Sequence, residues 1–250
     1  MKKRILSILL LCCMVLTLLP TTVLAADGPM DTIPKYDVSI DVYNRTSDIS
    51  IKDSRSYYIY SSVPDKLRDT WAWDKKIFIK GDKTAPHVFI DGVNIEMSPS
   101  SKGPAIELNK KASAYIYFIG KNSSLQGADG RAAIQKNRSE GQLYVLARTG
   151  TTVTCKGGDK AAGIGGSYAT RNISNGYYNG DMYGHGVNMH FGSRSNPDYW
   201  GGIIAAIGGN GGAGIGGGQG GAGEKLYFYS GTIQATSDRF ASGIGGSYAV

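Results

Sequence analysis

The chain has 250 residues, long enough for one large domain, and 36 of them are glycine. Hydrophobic residues make up 41% of the chain, which argues against a disordered polar protein despite the glycine content. The net charge is +7, but the chain lacks an extended lysine or arginine run and any nucleic-acid-binding motif. We therefore expect no nucleic-acid partner.

Residues 1–25 have the pattern of a secretory signal peptide. A basic start, Lys2 to Arg4, precedes the uncharged apolar segment 5–19, and small residues permit cleavage after Ala25. The apolar segment is short for a membrane span, and no second one follows it. Removing three of the 27 basic residues and none of the 20 acidic ones leaves a net charge of +4. The mature protein is expected to be secreted or cell-wall associated, without a transmembrane segment.

Residues 26–35 are predicted to be a short linker, and alternating segments begin after them. In these segments apolar residues alternate with polar or tyrosyl ones, a period typical of strands with one buried face. No segment beyond the signal peptide shows a helical period. The predicted strands include Val38–Val42, Ile49–Ile51, Tyr58–Tyr60, Ile77–Ile79, Val88–Ile90, Ala114–Phe118, Leu143–Ala147, Val187–Phe191 and Leu226–Phe228.

Three segments of the second half repeat the same internal spacing. In each, a strand hydrophobe precedes an isoleucine of a glycine-rich corner by 11 residues: Val153 and Ile164, Ile204 and Ile215, Ile233 and Ile244. Repeated spacing of this kind indicates a solenoid.

The isoleucines of this repeat also give the length of one coil. Spacings of 28, 30 and 29 residues separate Ile106 from Ile134, Ile134 from Ile164, and Ile215 from Ile244. Residues 36–250 are therefore predicted to form an all-β, right-handed parallel β-helix with about 28–30 residues per coil and the isoleucines stacked inside.

One spacing in this series is longer than a coil. Ile164 and Ile215 are 51 residues apart, which predicts one coil with two long loop insertions, around residues 168–186 and 193–200. The chain ends directly after another glycine-rich corner, so we expect the domain to be truncated at its C-terminal end.

Several of these motifs resemble those of a known group of proteins. The leader, the run from Phe89 to Ile95, the Ala-Ile pairs ending at Ile106 and Ile134, and the Gly-Ile-Gly-Gly corners are similar to clostridial-type secreted or cell-surface β-helix proteins. That group is described as carbohydrate-binding-domain-containing, with pectate-lyase-like repeats. The resemblance covers residues 36–250 and implies the β-helix architecture of a Gram-positive secreted or surface protein. Export, the repeat geometry and the aromatic residues of the insertions favour a non-catalytic module that binds polysaccharide or host or cell-wall glycan, or acts as an adhesin.

Aromatic residues are the candidates for such binding, because sugar rings stack on exposed aromatic faces. Trp71 and Trp73 flank one residue and are expected to face the same way. The two predicted insertions hold a second group, expected to meet in space beside His185: Tyr177, Tyr178, Tyr183, Tyr199 and Trp200.

The sequence is also compatible with other functions. Asn179-Gly-Asp181 and Gly184-His185-Gly186 are similar to parts of a polygalacturonase motif, but the paired aspartates and the Arg-x-Lys are missing. A polysaccharide lyase or hydrolase is therefore the first alternative, and a passive stalk is the second. No catalytic residue, resident metal or other cofactor is predicted, and a single calcium ion is the exception left open, with oxygen ligands from Asp53, Asp91, Asp181 or Asp198.

Overall fold

The computed structural model describes residues 35–81, 84–101, 103–109, 111–136, 140–168, 173–174, 177–178 and 184–247. The predicted signal peptide and nearly all of the linker thus lie outside the described residues. The described chain is all-β and winds as the predicted right-handed parallel β-helix. No helix in this part of the chain is long and apolar enough to cross a membrane.

The described residues form twenty-one short strands, nineteen of which build the three sheets of the solenoid, and two 3-10 turns at Asp65–Leu67 and Pro99–Ser101. In chain order the strands are β1 (Val38–Asp41), β2 (Ile49–Ile51), β3 (Ser56–Tyr60), β4 (Ile77–Ile79), β5 (His87–Asp91), β6 (Asn94–Glu96), β7 (Ile106–Leu108), β8 (Ala114–Phe118), β9 (Ser123–Gln126), β10 (Ile134–Gln135), β11 (Leu143–Ala147), β12 (Thr152–Lys156), β13 (Ile164–Gly165), β14 (Ile173–Ser174), β15 (Tyr177–Tyr178), β16 (Gly186–Phe191), β17 (Ile203–Ile207), β18 (Ile215–Gly216), β19 (Gly223–Phe228), β20 (Thr232–Thr236) and β21 (Ile244–Gly245).

Three parallel sheets form the sides of the solenoid. Sheet A runs β1-β3-β5-β8-β11-β16-β19, sheet B runs β2-β4-β7-β10-β13-β18-β21, and sheet C runs β6-β9-β12-β17-β20. A regular coil contributes one strand to each sheet, so successive coils stack with every strand beside its equivalent.

An isoleucine ladder runs through sheet B from the first coil to the last. The register pairs the isoleucines of successive strands directly, which confirms the predicted stack from Ile106 onward and extends it by two residues at its start. All but the last are at most 2% exposed. The ladder comprises Ile49, Ile77, Ile106, Ile134, Ile164, Ile215 and Ile244.

A second inner ladder runs through sheet C. Ile95, Leu125, Cys155, Ala206 and Ala235 are register partners on successive strands. The side chains become smaller along the ladder. Cys155 is fully buried in it, and burial raises the pKa of the thiol, so this cysteine serves packing.

The last three strands of sheet B each end in a glycine, and neighbouring coils approach closely at the first two. Gly165, Gly216 and Gly245 are register partners with φ of 133°, 134° and 127°. A Cβ atom on Gly216 would lie 1.9 Å from the Gly245 carbonyl oxygen, whereas one on Gly245 would meet nothing nearer than 3.8 Å. The Gly-Ile-Gly-Gly repeats therefore reflect backbone contact between coils.

The long coil carries its two insertions on either side of β16. The first lies between β13 and β16 and contains the antiparallel pair β14–β15. The second, residues 192–202, lies between β16 and β17 and returns to sheet A, where the Thr149 backbone N–H donates to the Tyr199 carbonyl oxygen at 2.9 Å. Both predicted insertions are confirmed in position.

We expect the isoleucine ladder to stabilise the fold coil by coil. Ile164→Ala, in the middle of the ladder, should lower the free energy of unfolding by about 2–5 kcal/mol because it leaves a cavity between packed coils. Ile244→Ala should cost roughly 1 kcal/mol or less, since Ile244 is 46% exposed on the last coil. Urea unfolding followed by circular dichroism measures both, and equal losses would contradict the ladder's role.

The glycine corners give a matched pair of variants. Gly216→Ala and Gly245→Ala share a similar backbone strain, but only the first meets a backbone oxygen of the next coil. Gly216→Ala should therefore lower the free energy of unfolding by at least about 2 kcal/mol more than Gly245→Ala. Thermal unfolding of the two proteins tests this, and similar midpoints would show that φ alone selects glycine here.

Candidate functional site

A ladder of stacked rings covers the outer face of sheet A. Neighbouring rings lie 4.4–4.7 Å apart with interplanar angles of 9–16°. Two histidines of the ladder also bond a tyrosine hydroxyl through Nδ1, at 2.9 Å and 2.8 Å. The five rings of this ring ladder are His87, Tyr115, Tyr144, His190 and Tyr227.

Because the rings stack on one another, few of their faces are free for a sugar to stack on. Each inner ring is covered on both faces by its neighbours, so it presents only its edge to solvent. Tyr227, at the end of the ladder and 41% exposed, is covered on one side by His190. Burial lowers the pKa of His190, with a further contribution from Arg194, which keeps this ring neutral within the stack. The ring ladder is therefore best explained as a stabilising feature of sheet A.

Trp200 does not provide the exposed ring face that the sequence suggested. It is 2% exposed and packs on the outer face of sheet A against Phe89, Tyr117 and Leu146, with its ring 5.1 Å from that of Tyr117. The prediction of an exposed Trp200 is wrong because the second insertion folds back and buries this ring as an anchor.

Tyr199 remains partly exposed to solvent. Its ring meets Trp200 edge-on at 4.9 Å, and the Arg148 guanidinium lies 5.3 Å from its centroid. The arginine occupies a place where a sugar could stack, so the described geometry favours a packing role for Tyr199 as well.

Trp73 is buried for a different reason. Its backbone pairs with Ile95, so its side chain enters the inner ladder of sheet C at the position of the second coil. It is 3% exposed, and its indole N–H donates to the Arg45 carbonyl oxygen at 2.8 Å. Trp71 is partly buried and packs against the same core cluster. The prediction of an exposed ring is therefore wrong for Trp73, whereas sugar binding by Trp71 stays a prediction.

The remaining candidates are only partly described. Tyr183 and the side chains of Tyr177 and Tyr178 lie outside the described residues, although the backbone of the latter two forms β15. His185 accepts a hydrogen bond at Nδ1 from the Ala222 backbone and lies 3.8 Å from Glu224 Oε1. Because His185 precedes β16 and Trp200 follows it, the structure does not bring these two together.

The structure instead reveals a polar groove, which none of the sequence candidates lines. It has a volume of about 620 Å³ and lies over the outer face of β6, β9 and β12 in sheet C. Residues 64–70, with their 3-10 turn, stand beside these strands as a wall. Side chains lining this groove include Asp65, Arg68, Asp69, Asn94, Lys121, Asn122, Ser124, Thr152 and Thr154.

The floor of the groove is built from equivalent positions on three coils. Asn94, Ser124 and Thr154 are register partners, and the Asn122 amide oxygen accepts from the Thr152 backbone N–H at 2.8 Å. Within the described residues, the hydroxyl groups of Ser124, Thr152 and Thr154 make no hydrogen bond to the protein. Equivalent polar groups therefore recur along the groove about every 4.8 Å, the distance between paired strands.

The wall of the groove carries the charges. Asp65 Oδ1 accepts from Lys121 Nζ at 2.8 Å and from Arg68 Nε and Nη2 at 3.3 Å each. Lys121 and then Arg68 lower the pKa of the Asp65 carboxyl, so it is ionised at neutral pH. In the described protein, the neighbouring Asp69 carboxylate has no hydrogen-bond or ion-pair partner.

The acids show no arrangement typical of polysaccharide cleavage. In the described strand pairs, no acid is the register partner of another acid, and the described residues contain no group of three His, Cys, Asp or Glu suited to a metal. Exposed Asp129 and Asp159 do occupy equivalent turn positions, three residues after the register partners Gln126 and Lys156.

Of the four aspartates predicted as calcium ligands, none that the structure describes lines the groove, and two accept hydrogen bonds from protein side chains. Asp53 accepts from Arg55 and from the Tyr57 hydroxyl, which hold its pKa at about 2, and Asp91 accepts from the Tyr58 hydroxyl at 2.8 Å. Asp198 is exposed in the second insertion, and Asp181 lies outside the described residues. A calcium site stays an open alternative.

Comparisons of the chain with known protein families, with curated proteins and with solved structures give no significant match. The resemblance to clostridial-type surface proteins therefore stays a prediction, and function has to be argued from the groove itself.

Proposed function

We propose that this chain is a carbohydrate-binding module of an exported bacterial surface protein, with the polar groove as its binding site. The observation that carries the proposal is the floor of the groove, where Ser124, Thr152 and Thr154 present hydroxyl groups that the described protein does not use. Hydroxyl and amide groups both donate and accept hydrogen bonds, which matches the mixed donors and acceptors of a sugar.

The repeat of the groove suits a polymer. Coils follow one another at about 4.8 Å, a distance comparable with the length of a sugar ring, so successive sugars along the solenoid axis would meet equivalent positions. Asn94 and Asn122 bond the backbone of the next coil, which holds the floor rigid before a ligand arrives. Such preorganisation reduces the entropy cost of binding.

Binding fits the groove better than cleavage does. Two carboxylates line the groove, those of Asp65 and Asp69. Asp65 is paired with Lys121 and Arg68, and both acids belong to the same wall segment. The described strands place no acid on a neighbouring coil beside either of them. A module of this kind would attach its parent protein to glycans, which agrees with the predicted export and with a role as an adhesin.

Removal of two hydroxyl groups tests the proposal. The double variant Thr152→Val, Thr154→Val keeps side-chain shape and should weaken glycan binding by about tenfold or more, because it removes two hydrogen-bonding groups from the floor. Titration calorimetry of the full mature chain against polygalacturonate, mucin glycans and peptidoglycan measures this, with release of unsaturated products followed in parallel.

The matched control changes the same residue type on the same sheet. Thr232 and Thr236 lie on β20 with exposed side chains, outside the groove. Thr232→Val with Thr236→Val should leave binding unchanged. Equal weakening by both double variants would contradict the site, product release would favour a lyase, and absence of binding to every glycan would favour a passive stalk.

A further inference from the structure

Arg68 of the wall and the neighbouring Lys121 share one acid partner among the described residues, Asp65, and the side chain of that acid is exposed. Arg68 is fixed by two backbone contacts, because Nη1 donates to Gly92 O at 3.1 Å and Nη2 donates to Val63 O at 3.2 Å. Its side chain is 17% exposed, whereas the side chain of Asp65 is 82% exposed. The guanidinium is thus held by the fold, and the carboxylate that meets it stands in solvent.

The local backbone is adapted to this position of Arg68. Gly92 has a φ of 61°, and a Cβ atom there would lie 2.6 Å from Arg68 Nη1. Arg68 also accepts at its carbonyl oxygen from Asn94 Nδ2 at 2.9 Å, which ties the wall to the floor of the groove. The arginine is therefore placed before any ligand binds.

Asp65 contacts the Nε–Nη2 edge of the Arg68 guanidinium with only one of its two carboxylate oxygens. A single oxygen, Oδ1, accepts from both Nε and Nη2 at 3.3 Å and from Lys121 Nζ. A carboxylate that approached this edge with both oxygens could form two shorter parallel hydrogen bonds, the geometry that the planar guanidinium favours. An exposed pair such as Asp65 with Lys121 contributes little to stability, so its displacement costs little.

We infer that the groove selects glycans with a carboxylate group, which binds Arg68 and Lys121 in place of the Asp65 side chain. Asp65 acts as an internal competitor that keeps the two cations paired in the free protein and weakens binding of other anions. Because this ligand class rests on the proposed function, the experiment has to separate the two.

The test uses a pair of ligands that differ only in the acid group. A hexamer of mannuronate and its carboxyl-reduced form are titrated into the full mature chain and into Asp65→Asn. The variant should bind the uronate hexamer about three- to fivefold more tightly, because the competitor is removed, and its affinity for the reduced hexamer should not change. Raised salt should abolish the gain.

Asp74→Asn is the matched control. Asp74 forms a similarly exposed pair with Lys75 at 2.7 Å and does not line the groove, so the variant makes the same change in net charge elsewhere. It should bind both hexamers as the unmodified chain does. An equal gain for Asp74→Asn would show a general charge effect and overturn the inference.

The remaining outcomes also separate the inference from the proposed function. If the threonine variants lose binding of a neutral glycan but Asp65→Asn gains nothing for the uronate, the acidic ligand class is wrong and the binding module stands. If the unmodified chain and Asp65→Asn bind no glycan of the panel and neither hexamer, both the inference and the proposed function are wrong.

Discussion

Stacking of equivalent side chains between coils is the interaction on which the rest of this structure depends. The isoleucine ladder of sheet B fixes the vertical register, because a shift of one residue would turn its isoleucines from the core to the solvent. Close backbone contact at Gly165 and Gly216 then sets how tightly the later coils pack. Once the register is fixed, outward side chains fall into rows as well, and such rows build both the ring ladder of sheet A and the floor of the polar groove.

These rows explain how regular coils of a solenoid can present a site. A row repeats one position of the coil, so three hydroxyl or amide groups appear at regular distance without any loop to place them. The wall of the groove does not arise from such a repeated position. Residues 64–70 interrupt the regular coil, and their Arg68 is fixed by backbone oxygens of Val63 and Gly92. The groove therefore combines a regular floor with one irregular segment that supplies charge.

Much of the fold could be predicted from the sequence. The 11-residue spacing from Val153 to Ile164 and the coil length of 28 to 30 residues predict which residues of successive coils are register partners. The same register places Asn94, Ser124 and Thr154 at 30-residue intervals, a signal for the groove floor that sequence reasoning overlooked. Exposure of rings was harder to predict. Trp73 lies inside because its backbone joins sheet C, and Trp200 is covered because its loop folds back, and both depend on tertiary contacts. The Arg68 wall has no periodic signal at all.

The central claim is that glycans bind along the floor of the groove. Nuclear magnetic resonance of residues 26–250 with labelled threonine methyl groups tests it directly, because Thr152 and Thr154 lie in the groove and Thr232 and Thr236 lie on the same sheet outside it. On titration with a bound glycan, shifts should concentrate at Thr152 and Thr154, with Thr232 and Thr236 unchanged. Shifts absent from Thr152 and Thr154 during saturable binding would place the site elsewhere and contradict the account.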